Sequence, residues 1–175
     1  MLHLIPRPIH RLGLRTVHTL RKQWWRLARP EVVGCRVLAF DNEGRLLLIR
    51  HSYGSRDWMP PGGGMHREED PLIAAGREFS EELGCPLHAP ILVDVVTEDL
   101  HGARNVVHIV AGTIGGTPAP DGREVIDIGL FPSNPLPDDF PGALRGPMPA
   151  WIKAAIAARH RDGPAGPAHP PAPTA

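Results

Sequence analysis

Glu78, Glu81 and Glu82 stand at i, i+3 and i+4 in the run Arg77-Glu78-Phe79-Ser80-Glu81-Glu82-Leu83-Gly84-Cys85. On a helix that spacing puts three carboxylates on one face, within one turn of each other. Like charges so placed repel and cost stability unless a cation lies between them, and hard divalent ions take such oxygen ligands. The pattern points to a Mg²⁺ or Mn²⁺ site. Just upstream, Pro61-Gly62-Gly63-Gly64 is a stretch whose backbone can approach a ligand closely, offering a carbonyl to a metal or amides to phosphate. A Glu-rich helical stretch on its own reads as a solvated surface face, so its meaning depends on the residues around it.

A helix carrying these glutamates needs a start and a stop. Asp70-Pro71 supplies an N-cap and a first-turn proline, and Gly84 a C-cap, so the helix is expected from Pro71 to Leu83. Ahead of it, Val32–Phe40 reads as a strand rich in β-branched residues. Asp41-Asn42-Glu43-Gly44 supplies turn chemistry and Arg45–Arg50 a second strand, giving a hairpin. A Gly- and Pro-rich loop, Tyr53–Met65, joins the hairpin to the helix. Further strands are expected at Ile91–Thr97, Asn105–Thr113 and Val125–Leu130. A last helix, Met148–Arg159, carries Trp151, Ile152, Ala155 and Ile156 on one face.

At 175 residues and 19.0 kDa the chain allows one ordinary domain with modest extensions, and 42% hydrophobic against 22% charged residues suit a globular core. The formal net charge is zero, which gives no expectation of a nucleic-acid partner. That total hides an asymmetry. Residues 1–30 hold seven basic residues and no acid, leaving 12 basic against 19 acidic residues in the rest. Ile9, Leu12, Leu20, Trp24 and Leu27 recur near a 3.6 period, so residues 1–30 read as a basic amphipathic helical extension. Three readings of it stand: packing of its apolar stripe on the body, peripheral contact of residues 8–28 with an anionic membrane surface, or, in the third place, an oligomer contact such as a homodimer or a nucleic-acid contact. Residues 162–175 are rich in Pro, Ala and Gly and are expected to form a disordered tail, with 31–161 as the domain between. Cys35 and Cys85 lack the spacing of a zinc site or disulfide framework, and no apolar run is long enough to span a membrane. A cytoplasmic protein is expected, associated with a membrane surface if the basic helix binds there. His51, His66, His101 and His108 read as surface or core residues.

The whole segment resembles the signature of Nudix (MutT-like) hydrolases, G-x5-E-x7-R-E-U-x-E-E-x-G-U with U apolar. Its fixed positions are met by Gly63, Glu69, Arg77, Glu78, Glu81, Glu82 and Gly84, and its U positions by Phe79 and Cys85. The hairpin before it, Trp58-x-x-Pro61-Gly62-Gly63, and a later Glu124-Val125-Ile126 before Phe131-Pro132 extend the likeness over about Val32–Arg159. The resemblance implies an α/β fold, a Nudix-type α/β/α sandwich around a mixed β-sheet. It also implies divalent-metal-dependent hydrolysis of a diphosphate linkage in a nucleoside diphosphate joined to another group, with water attacking phosphorus. By the same likeness Glu78, Glu81 and Glu82 match metal-binding glutamates and the Gly62 carbonyl an added ligand, while Arg77 and Glu69 brace the loop against the helix. Glu81, Glu82 and Glu124 are the candidates for general base. The sequence departs from the family at Glu68, where Gly is usual.

Specificity is expected from loops outside the box, where Tyr53, Arg56, Trp58 and Phe131 could stack a base or grip phosphate. The substrate itself, a nucleotide or other small diphosphate, is not named by any further motif. A binding or regulatory module on the same fold, tethered by the basic helix, is the competing reading. Its expected mark, loss of a box glutamate, is not found in the sequence.

Overall fold

The computed structural model describes residues 31–100 and 103–161. The expected basic helix, His101 and the Pro-rich tail lie outside the described residues. In chain order the elements are β1 (Glu31–Phe40), β2 (Leu46–His51), α1 (Pro71–Leu83), β3 (Leu87–Leu100), β4 (Ala103–Ile114), β5 (Val125–Phe131), the single turn α2 (Gly142–Arg145) and α3 (Met148–Arg161).

β1 and β2 are apolar on both faces, which suits strands buried in the middle of a sheet. Cys35, Val37 and Ala39 in β1 and Leu47 and Ile49 in β2 face one core with Ala74, Ala75, Phe79 and Leu83 of α1. Leu38, Phe40, Leu46 and Leu48 face the other, with Met148, Trp151, Ile152 and Ala155 of α3. The five strands run in the order β3-β4-β1-β2-β5, with β1 and β4 parallel and the remaining pairs antiparallel. This is a mixed sheet between two helical layers, as expected.

β1 and β2 pair directly beside their turn, Phe40 opposite Leu46, and then part. The Pro/Gly loop enters the gap. Ile49 N–H donates to Met59 O (2.8 Å), Val37 N–H to Pro61 O (2.8 Å), Cys35 N–H to Gly63 O (2.9 Å) and Met65 N–H to Val33 O (3.0 Å). A loop that composition alone marks as irregular is thereby stitched into the sheet, and it carries its glycines to a fixed place above α1.

Several boundaries differ from expectation for local reasons. Arg45 does not open β2, because Asp41 holds it in the turn: Oδ1 accepts its backbone N–H at 2.8 Å and Oδ2 its guanidinium at 2.6 Å. β3 runs from Leu87 to Leu100, not from Ile91 to Thr97. Pro90 is tolerated because β3 is an edge strand, with a register shift between His88 and Ile91 and Ala89 at φ 46°. β4 and β5 each extend slightly past the expected ends, and α2 is too short to show a period. Among the described residues no helix is long and apolar enough to cross a membrane.

Candidate active site

The helix that presents the glutamates is closed at both ends as its sequence requires. Asp70 Oδ1 accepts from the N–H groups of Leu72 (2.8 Å) and Ile73 (3.3 Å), Pro71 sits in the first turn, and Gly84 ends α1 at φ 66° with its N–H on Ser80 O (2.9 Å). Phe79 is fully buried and anchors the rotation of α1 on the sheet. That rotation buries Glu82, at 6% exposure, leaves Glu78 half-buried and keeps the Glu81 side chain outermost at 63%.

The glycine loop meets this face where no side chain would fit. Gly62 adopts φ 146°, and a Cβ there would overlap the Cys35 carbonyl. A Cβ on Gly63 would overlap the Glu78 carboxylate, coming within 2.9 Å even of its farther oxygen. Gly62 N–H donates to Glu82 Oε2 (3.2 Å), while the Pro61 and Gly63 carbonyls are taken by β1 and the Gly64 carbonyl by Arg77 Nη2 (3.1 Å). Among the described residues the Gly62 carbonyl is the one carbonyl of this run without a donor.

Arg77 joins the loop to the helix. Its Nε and Nη2 donate to the two oxygens of Glu69, both at 2.9 Å, and Nη1 donates to Glu78 Oε1 (2.8 Å). Glu69 also accepts from His66 N–H (2.8 Å), and the Arg77 bonds with this one hold its carboxyl down at about 2. Glu68 stands at φ 63°, a left-handed conformation in which a Cβ is strained; this is the physical reason glycine suits that position.

A third wall comes from the turn before β5. Ala119 N–H donates to Leu83 O (2.9 Å) and Asp121 N–H to Glu82 O (3.0 Å), so the turn docks on the last carbonyls of α1. Ser52 N–H donates to Glu124 O (2.8 Å), and the Tyr53 hydroxyl donates to Glu124 Oε2 (3.3 Å). Tyr53, Gly62, Gly63, Gly64, Glu78, Glu81, Glu82, Asp121 and Glu124 enclose a cavity of about 350 Å³. A larger cavity of about 550 Å³ beside α3, walled by Pro135, Leu136, Ile152 and Ile156, has no acidic group in its lining.

Burial pushes the Glu82 carboxyl up to about 8, and the neighbouring charges of Glu78, Glu124 and Asp121 add to it against the Gly62 amide. Burial also raises Glu78, against its bond from Arg77. Among the described residues no three acidic, His or Cys side chains close into a ready-made metal cage. The geometry explains this, since Arg77 Nη1 draws Glu78 and lies 3.6 Å from Glu81 Oε2. The donor set still fits a hard divalent cation: oxygen donors throughout, an undonated Gly62 carbonyl, and a buried carboxylate whose ionisation a nearby positive charge would restore.

The residues singled out in the sequence divide clearly. Gly62, Gly63, Glu78, Glu81, Glu82, Glu124 and Tyr53 meet in the cavity, with Glu69, Arg77 and Gly84 supporting it. Arg56 is exposed and outside the lining. Trp58 and Phe131 pack edge to face (4.9 Å) against the α3-side core, with Arg50 stacked on Trp58 at 4.2 Å, and neither lines the cavity. Asp121, which also lines the cavity, is a site residue that sequence reasoning missed. Its signal is an Asp followed within four positions by amides that need an acceptor.

Comparison with known proteins bears on the fold and the family. The NUDIX domain family matches residues 30–151. A MutT NUDIX hydrolase from Burkholderia pseudomallei is 26% identical, with a TM-score of 0.60 over 71% of this chain and 97% of its own. The MutT protein of Methanosarcina mazei Go1 (20% identity, TM-score 0.62, 77% and 98% covered) and an Ap4A hydrolase of C. elegans (17%, 0.58, 74% and 98%) share the fold. With the family match spanning most of the chain and every fixed position of its box occupied, the chain belongs to the NUDIX domain family and is a Nudix pyrophosphohydrolase.

Proposed function

We propose that the protein hydrolyses, with Mg²⁺ or Mn²⁺, a diphosphate linkage in a nucleoside diphosphate joined to another group. The observation that carries this is the acidic cavity in which Glu78, Glu81 and Glu82 from one helix face meet Glu124 from a separate turn, roofed by a loop in which Gly62 and Gly63 have no room for a Cβ. Glu78, Glu81, Glu82 and the Gly62 carbonyl would hold the cation. When bound, it supplies charge neutralisation for the diphosphate and a lowered pKa for the attacking water.

The chain's own groups do the rest. Arg77, anchored on Glu69, keeps the helix carboxylates and the glycine loop in one register. Water oxygen forms a bond to phosphorus as the P–O bond to the leaving group breaks, and a carboxylate takes the proton. Of Glu81, Glu82 and Glu124, the last suits this role best. Glu81 lies within ion-pair distance of Arg77 and Glu82 is bonded by Gly62, whereas Glu124 faces them from across the cavity with Tyr53 as its side-chain donor. Substrates such as nucleoside triphosphates, modified nucleotides and nucleotide sugars share the linkage this cavity suits.

The test is phosphate release, coupled to pyrophosphatase and phosphatase, across nucleoside triphosphates, oxidised nucleotides, ADP-ribose, nucleotide sugars and dinucleoside polyphosphates. Release that requires Mg²⁺ or Mn²⁺ and stops in EDTA is expected for at least one of them. Release indifferent to EDTA would overturn the metal assignment.

A further inference from the structure

Asp121 is the residue that touches both halves of the cavity wall. Its backbone N–H donates to Glu82 O (3.0 Å), at the end of the helix that carries the buried carboxylate. Its side chain turns the other way. Oδ1 accepts from the backbone N–H groups of Arg123 (3.0 Å), Glu124 (3.1 Å) and Val125 (2.9 Å), and Oδ2 lies 3.2 Å from Glu124 N. The carbonyl side of the same turn is held separately, by Ser52 N–H on Glu124 O (2.8 Å) and Ser52 Oγ on Arg123 O (2.6 Å). The backbone of Glu124 is therefore gripped from its N–H side by Asp121 and from its carbonyl side by Ser52.

We infer that Asp121 is a positioning residue, a clasp that sets Glu124 opposite Glu82, and that turnover depends on it through Glu124. The inference rests on the hydrolase reading above and adds to it a residue outside the Nudix box. Three amides of the turn converge on one carboxylate oxygen, and a half-buried turn that loses this acceptor must reorganise to satisfy those donors. Such a reorganisation includes Glu124, whose N–H contacts both oxygens of Asp121.

The chemistry of the grip separates it from a direct role. Asn at position 121 keeps an oxygen where Oδ1 is for all three amides, loses the charge and puts an NH2 in place of Oδ2, the longer of the two contacts to Glu124 N–H, whereas Ala removes every acceptor. In the full chain, Asp121→Ala should lower kcat on the order of tenfold or more, and Asp121→Asn should restore it to within about threefold. Glu124→Gln, costly in the native background, should add less than about threefold in the Asp121→Ala background, because the clasp and the group it holds act as one unit. Hydrogen exchange supplies a reading that needs no turnover. The amides of Arg123, Glu124 and Val125 should exchange on the order of tenfold faster in Asp121→Ala than in the native chain or Asp121→Asn, with α1 unchanged.

Exchange unchanged in Asp121→Ala would overturn the clasp. Asp121→Asn losing as much activity as Asp121→Ala would show instead that the carboxylate charge acts directly. Fully additive effects of Asp121→Ala and Glu124→Gln would show that Asp121 does not act through Glu124. If the native chain turns over no diphosphate, the hydrolase reading fails, and the exchange measurement still decides whether Asp121 holds the turn.

Discussion

Replacing Glu82 with Gln should make the metal-free protein more stable at alkaline pH while removing its activity. Glu82 is 6% exposed, and burial with three acidic neighbours pushes its carboxyl from the ordinary 4.5 up to about 8. Between those values the folded chain keeps a proton that the unfolded chain has released. Stability therefore falls as pH rises from about 4.5 to about 8 and levels off above. At about 1.4 kcal/mol for each pKa unit, the ceiling is about 5 kcal/mol by pH 9, and relaxation of the pocket with water entry brings the expected penalty to about 2–4 kcal/mol. Gln is neutral at every pH, and its amide oxygen can still accept from Gly62 N–H, so it keeps the fold and escapes the penalty. Urea unfolding in EDTA is the assay. At pH 4, below the unfolded value, the two proteins should be nearly equally stable, and at pH 9 the variant should lead by that margin, or by roughly 5–15 °C in Tm. Adding Mg²⁺ at pH 9 should close the gap by stabilising the native protein alone. Parallel stability curves from pH 4 to 9, or a variant less stable at pH 9, would refute the reasoning.

Other substitutions separate fold from chemistry. Gly63→Ala should lower turnover on the order of tenfold or more with little loss of stability, since its Cβ meets the movable end of Glu78, whereas Gly62→Ala meets the Cys35 backbone at φ 146° and should cost about 3 kcal/mol or more in urea unfolding. Glu68→Gly, which relieves a left-handed backbone, should raise stability by up to about 1 kcal/mol at unchanged kcat. Trp58→Ala should cost about 1–3 kcal/mol by the same measure while leaving kcat within about twofold, because Trp58 packs on Phe131 and Arg50 away from the cavity.

The parts legible in the sequence are those set by local rules. Asp70, Pro71 and Gly84 bounded α1 correctly because capping is local, and the Glu78, Glu81, Glu82 spacing placed three carboxylates on one face because helical geometry is regular. What stayed hidden depends on contacts distant in sequence. Nothing in Met59–Met65 reveals that it fills the gap between β1 and β2, since its partners are Val33, Cys35, Val37 and Ile49. Pro90 masked the start of β3 because only the sheet order makes it an edge strand, where the missing N–H costs little. Aromatic residues were the least legible part of the site. Tyr53 and Trp58 lie five positions apart in one loop, yet one lines the cavity and the other packs on the opposite core. Asp121 is not legible as a site residue because the three amides its carboxylate accepts from belong to its own turn, while its link to Glu82 arises only once that turn docks on α1.

The central claim is that water attacks phosphorus in the cavity formed by Glu78, Glu82 and Glu124, and solvent labelling tests it most directly. Hydrolysis of the best diphosphate substrate in H₂¹⁸O with Mg²⁺, read by mass spectrometry under single turnover, should place one ¹⁸O in a phosphate-bearing product. That incorporation should fall at least about a hundredfold in Glu82→Gln. A product that carries no phosphate, which would mean that the bond cleaved is not the diphosphate linkage, or incorporation that survives both EDTA and Glu82→Gln, would contradict the account.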